Sequence, residues 1–162
     1  MANSSNTADR EVVATRILKA PREVVFEVWT NPAHVVQWWG PAGFTNTIHE
    51  MSVKPGGVWR FIMHGPDGTD YPNKIVFKEV VKPSLLRFDH GWDVEDLTQD
   101  PRTFEVTVNF VAKGKTTELS MKMVFKSKEV KDEVVEKYGA IEGNKQMMDK
   151  LELYLHRFDE NS

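Results

Sequence analysis

Two stretches of alternation, residues 103–112 and 116–125, leave this chain little freedom in what it can become. Phe104, Val106, Val108 and Phe110 fall on one side of the first stretch, and Glu105, Thr107 and Asn109 on the other. After the turn Lys113-Gly114-Lys115, Leu119, Met121, Met123 and Phe125 oppose Glu118, Ser120 and Lys122. Successive side chains of a strand point to opposite faces, so this pattern predicts an antiparallel hairpin with one face buried and the other wet. A slip of one residue would turn the whole apolar set into water, so the register is strongly specified.

Upstream the same period recurs between strong turn signals. Strands are predicted over 11–18, 45–51, 58–64, 71–82 and 85–92, separated by Pro55-Gly56-Gly57, Gly65-Pro66-Asp67-Gly68 and Pro83-Ser84. Two short helices interrupt the series after the first strand. Pro21 suits a first helical turn, and Val24, Val25, Val28 and Trp29 recur at helical spacing up to Asn31-Pro32. A second helix covers 33–38, ended by Gly40-Pro41-Ala42-Gly43. Residues 128–158 read as a long helix that Gly139 and Gly143 break or kink. Its second half carries one apolar stripe of Met147, Met148, Leu151, Tyr154, Leu155 and Phe158.

Runs of strands, rather than strand–helix alternation, indicate an α+β fold with an antiparallel sheet. The stripe of the final helix must be buried, and the only large partner is the apolar face of the sheet. The expected architecture is a curved antiparallel sheet wrapped around a long C-terminal helix, with two short helices after the first strand and a cavity between sheet and helix. Residues 1–10 are expected to be a flexible tail, and 11–160 a single domain, which suits a chain of 162 residues.

The chain has no cysteine, which excludes disulfide frameworks, iron–sulfur clusters and a thiol nucleophile. Its 21 basic and 24 acidic residues give a net charge of −3, and they are interspersed, so no nucleic-acid partner is expected. No apolar run reaches the ~20 residues of a membrane span. The first residues, MANSSNTAD, lack the basic and apolar regions of a signal peptide, so the expected location is cytoplasmic.

The element order, Pro21, Trp38-Trp39-Gly40-Pro41, Gly56-Gly57-Val58-Trp59-Arg60-Phe61, Gly65-Pro66-Asp67-Gly68, Pro83-Ser84-Leu85-Leu86 and the stretch 147–155 together resemble the family of homologues of the activator of heat-shock-protein-90 ATPase. The resemblance covers residues 11–158. It implies the START-like (SRPBCC) superfamily, with its helix-grip fold of polyketide cyclases and lipid-transfer proteins. One departure is local: the family usually carries a Gly-Trp pair where this chain has Gly143-Asn144. The eukaryotic co-chaperone that names the family has an additional domain with no counterpart in this sequence, so a chaperone partner is not expected.

The five histidines, His34, His49, His64, His90 and His156, stand far apart and form no metal-ligand spacing; no cofactor fingerprint occurs, and no cofactor is expected. His90 shares a strand face with Leu86, Phe88 and Trp92, so it is the histidine expected on the cavity wall. Ligand pockets are mostly apolar with a few convergent polar groups. Trp59, Phe61, Met63, Phe88, Met121 and Met148 are the expected walls, and His90 and Tyr71 the expected polar anchors. Methionine fills irregular space and suits a wall that adapts. The expected role is therefore to bind a small apolar or aromatic molecule. A cyclase, dehydratase or hydrolase would need His90 together with a carboxylate or Tyr71. An interaction module would need an exposed apolar patch, for which Ile62 and Val76 are the candidates as a homodimer edge.

Overall fold

The computed structural model describes residues 8–160. Seven strands form one antiparallel sheet in the order β1-β7-β6-β5-β4-β3-β2. They are β1 (Glu11–Leu18), β2 (Thr45–Met51), β3 (Val58–His64), β4 (Asp70–Val81), β5 (Leu85–Trp92), β6 (Phe104–Lys113) and β7 (Thr116–Val124). Helices α1 (Arg22–Thr30) and α2 (Pro32–Trp38) join β1 to β2, and α3 (Lys128–Tyr138) and α4 (Ala140–Glu160) follow β7. This is the expected α+β helix-grip arrangement. Of the segment 1–10, residues 1–7 lie outside the described residues and Ala8–Arg10 form a single 3-10 turn.

The β6–β7 hairpin pairs as the alternation requires, with Val106 opposite Met123, Val108 opposite Met121 and Phe110 opposite Leu119, all six buried. The polar set lies on the outer face. There Glu105 accepts from Lys78 at 2.6 Å and from Arg87 at 3.1 Å, and Arg87 reaches Glu79 at 3.1 Å. Such half-exposed pairs are each worth only ~0–1 kcal/mol. Arg60 on the same face pairs with Asp93 at 2.9 Å and with Glu50 at 3.4 Å. Ile62 and Val76 are only part-buried, while Val13, Ile17 and Val111 are the more exposed apolar residues of the outer face.

Register shifts at Ile48/Glu50 in β2 and at Phe77/Glu79 in β4 bend the sheet. The turn before β3 depends on glycine. A Cβ on Gly57 would sit 1.9 Å from the carbonyl oxygen of Ser52, so no side chain fits there. That close approach lets Gly56 donate to the Phe77 carbonyl and Gly57 accept from the Phe77 amide, which ties the turn to the β4 bulge.

The two C-terminal glycines do different things. Gly139 adopts φ 62° and caps α3, so the helical region is two helices rather than one kinked helix. Gly143 stays inside α4, where a Cβ would meet the Pro41 ring at 3.4 Å. Of the α4 stripe, Met147, Met148, Leu151 and Leu155 are buried and Tyr154 is half-buried; the Phe158 side chain lies outside the described residues. Helix α1 packs on β6 and β7, and α4 on β1 and α2. At that junction Trp29, Trp38 and Trp39 meet edge to face with centroids 5.0–5.7 Å apart.

Candidate functional site

A cavity of two adjoining lobes lies between the concave face of the sheet and helices α3 and α4. The outer lobe holds about 380 Å³ and the inner about 190 Å³. They share Pro41, Met63, His90 and Phe104.

Several elements converge to form the walls. The loop after α2 contributes Pro41 and Phe44, and it is fastened to α4 by one helix face. Lys150 donates to the carbonyls of Gly40, Pro41 and Phe44 at 3.1, 3.3 and 3.2 Å. The amide of Ala42 donates to Gln146 Oε1 at 3.2 Å, and Pro41 lies beside Gly143. Positions 143, 146 and 150 recur at helical spacing, so one side of α4 holds the loop. Burial pulls the Lys150 pKa below the usual lysine range. Its three carbonyl partners use the whole donor capacity of the ammonium group.

The sheet supplies the opposite wall. In β4, Tyr71 and Asn73 face the outer lobe; in β5, His90, Gly91 and Trp92 do the same, while Phe88 faces the inner lobe. Arg102 and Lys137 stand at the outer rim, where Arg102 pairs with Glu133 at 3.2 Å. Among the described residues the inner lobe has no charged side chain; Trp39, Met121, Met123, Met147 and Asn144 are among those that line it. No Asp or Glu lines either lobe among the described residues.

His90 occupies the junction of the lobes. Its ring lies against Phe104, Phe61 and Trp39, with centroids at 4.9, 5.9 and 6.4 Å. Burial pushes its pKa down to about 4, so the ring is neutral at pH 7. Its Nε2 is 2.9 Å from Asn73 Oδ1, and Asn73 Nδ2 donates to the Tyr71 carbonyl at 2.8 Å.

Among the expected site residues, Met63, Tyr71, Phe88, His90 and Met121 stand on the cavity wall. Trp59, Phe61 and Met148 do not. Trp59 and Phe61 are packed beneath Trp39, at 4.7 and 6.0 Å between centroids, and Met148 is buried in the core. Adjacent helical residues point about 100° apart, so Met147 reaches the inner lobe and Met148 cannot. The hydrogen-bond partner of His90 is Asn73, not the carboxylate or Tyr71 that proton-transfer chemistry would need. Asn73 carried a signal in the sequence: it is the one amide on the inward row Tyr71, Asn73, Ile75, Phe77. Phe104 and Met123 follow from the β6–β7 alternation, whereas Arg102 and Lys137 reach the rim through the tertiary fold and have no local signature.

Among the described residues no helix is long and apolar enough to cross a membrane. None of the curated proteins matches the chain. Solved structures do. A protein of Arthrobacter aurescens, solved by NMR, superposes with a TM-score of 0.85 at 22% identity, covering 94% of this chain and 90% of that one. A crystallised protein of Mycobacterium smegmatis gives 0.83 at 22% identity, covering 94% and 95%. The AHSA1 protein of Silicibacter pomeroyi gives 0.73 at 20% identity, covering 90% and 97%. At such identities the likeness speaks for the fold alone. The sequence pattern of the family described as "Activator of Hsp90 ATPase homolog 1-like protein" matches residues 19–156, which is most of the chain. With its seven-stranded sheet closed on α4, the chain belongs to this activator of Hsp90 ATPase homologue family, and so has a fold associated with ligand binding.

Proposed function

We propose that the protein binds a small apolar or aromatic molecule in the two-lobed cavity. The observation that carries this reading is the inner lobe: among the described residues, a chamber of uncharged, mostly aromatic, aliphatic and methionine side chains, continuous with a larger outer lobe through Met63 and His90. Pockets for small molecules have this character. The site residues proposed are Met63, Tyr71, Phe88, His90 and Met121, with Phe104, Met123 and Asn144 added. Binding is favoured over catalysis because, among the described residues, no carboxylate lines the cavity beside His90, and burial leaves its ring a weak base.

Native mass spectrometry of protein purified from its own host tests this. One small apolar molecule per wild-type chain is expected, or uptake of one from a panel of aromatics and lipids after stripping. Met63 is part-buried and borders both lobes, so Met63→Trp should fill their junction. Binding is expected to weaken at least tenfold, with stability unchanged or raised by ~0.5–2 kcal/mol as for other cavity-filling changes. A wild-type chain that carries nothing and takes up nothing would contradict the proposal.

A further inference from the structure

The hydrogen bonds around His90 determine which of its nitrogens carries the proton. The side-chain nitrogen of Asn73 is committed to the Tyr71 carbonyl at 2.8 Å, since a carbonyl can only accept. Asn73 therefore presents its oxygen to the histidine, 2.9 Å from Nε2. An amide oxygen needs a donor, so the neutral ring carries its hydrogen on Nε2. Nδ1 is left as a bare lone pair. It has no partner among the described residues, and it is not enclosed by them. His90 borders both lobes.

A second acceptor goes unmet behind the wall of the inner lobe. Asn144, from α4, donates from Nδ2 to the Met121 sulfur at 3.4 Å, while its Oδ1 is enclosed without a partner. Sulfur is a weak acceptor, so this amide is poorly satisfied at both ends. The unmet atom that reaches the cavity is His90 Nδ1, an acceptor that calls for a donor. Among the described residues the inner lobe offers no cation to an anion, and burying an unpaired anion beside that lone pair is strongly unfavourable. Arg102 and Lys137 are confined to the outer rim.

We infer that the ligand is an uncharged aromatic hydrogen-bond donor, of the phenol or aryl N–H class, whose hydrogen is accepted by His90 Nδ1, with Asn73 as the positioning residue that fixes the tautomer. This rests on the reading of the cavity as a ligand site. Apolar walls hold the ring, and the single directed bond selects a hydroxyl over a methoxy group. The low pKa of His90 fits an acceptor of hydrogen bonds rather than a base that removes protons.

Three matched probes test this by calorimetry on the full chain at pH 7: 1-naphthol (neutral donor), 1-methoxynaphthalene (no donor) and 1-naphthoate (anion). The naphthol is expected to bind about tenfold tighter than the ether, because the ether leaves the acceptor unpaired. In His90→Phe the ratio between those two probes should fall to about one. Nitrogen NMR of His90 gives a readout independent of any variant: Nδ1 should be unprotonated in the free protein and shift on addition of the naphthol. Equal binding of naphthol and ether, tightest binding of the naphthoate, or a protonated Nδ1 would overturn the inference while leaving the cavity reading intact. Failure of all three probes to bind would overturn both.

Discussion

Trp38→Ala is expected to destabilise the fold by about 3–5 kcal/mol, the range for removing a large aromatic from a packed core. That is a large share of the ~5–15 kcal/mol that holds an ordinary domain together. Trp38 is fully buried at the meeting of α1 and α2, edge to face with Trp29 and Trp39. Its indole nitrogen donates to the Val28 carbonyl at 3.1 Å, so the truncation also strands a buried acceptor. Trp39, the next residue, lines the inner lobe, so the same change should loosen the cavity wall. Trp59→Phe makes an informative contrast. Trp59 is equally buried, but its indole nitrogen has no partner. Phenylalanine removes an unsatisfied donor along with some volume, and the two effects oppose each other; a net change within ~1 kcal/mol is expected. Urea unfolding of both variants measures the difference. Equal losses in the two would show that the indole hydrogen bonds do not distinguish these sites.

The second large effect depends on pH and belongs to His90. The ring titrates near 6.5 in the unfolded chain and about 4 in the folded one, because burial penalises its charged form. Between those values the unfolded chain holds more protons. The contribution is therefore fully present above pH 6.5, declines as the pH falls to 4, and changes no further below that. At about 1.36 kcal/mol per pKa unit the ceiling is about 3 kcal/mol. Because the ring keeps some accessible surface within the cavity, a measured value should fall somewhat short of this. His90→Gln cannot charge and can still donate to Asn73. Wild type should lose roughly 2–3 kcal/mol more than this variant between pH 7 and pH 4.5. Parallel losses in the two proteins would mean that His90 titrates normally in the folded state.

Much of this molecule could be read from its residues, and the parts that could not have definite causes. The β6–β7 hairpin was legible because alternation and a Lys-Gly-Lys turn leave one register. The two short helices were legible from Pro21, Asn31-Pro32 and the glycines after Trp39. The end of the chain was half legible. Gly139 and Gly143 look alike in a sequence, yet one turns left-handed to end a helix and the other stays helical beside Pro41. Only the packing partner distinguishes them. The same limit applies to the cavity. Trp59, Phe61 and Met63 share one face of β3, and alternation places all three inside. Which of them meets open space depends on where Trp39 lands, and Trp39 covers the first two. His90 was legible as an inward polar residue. Its partner Asn73 was equally inward, but its meaning emerges only when β4 and β5 pair and bring the amide to the ring.

The central claim, that the space between sheet and helix takes a small aromatic molecule, has an internal reporter in the methionines. Met63, Met121, Met123 and Met147 line the cavity, whereas Met51 and Met148 do not. With methyl-labelled methionine, titration with 1-naphthol should move the first four resonances along one saturating curve and leave Met51 and Met148 in place. Resonances that do not saturate, or that move only at Met51 or Met148, would contradict the account.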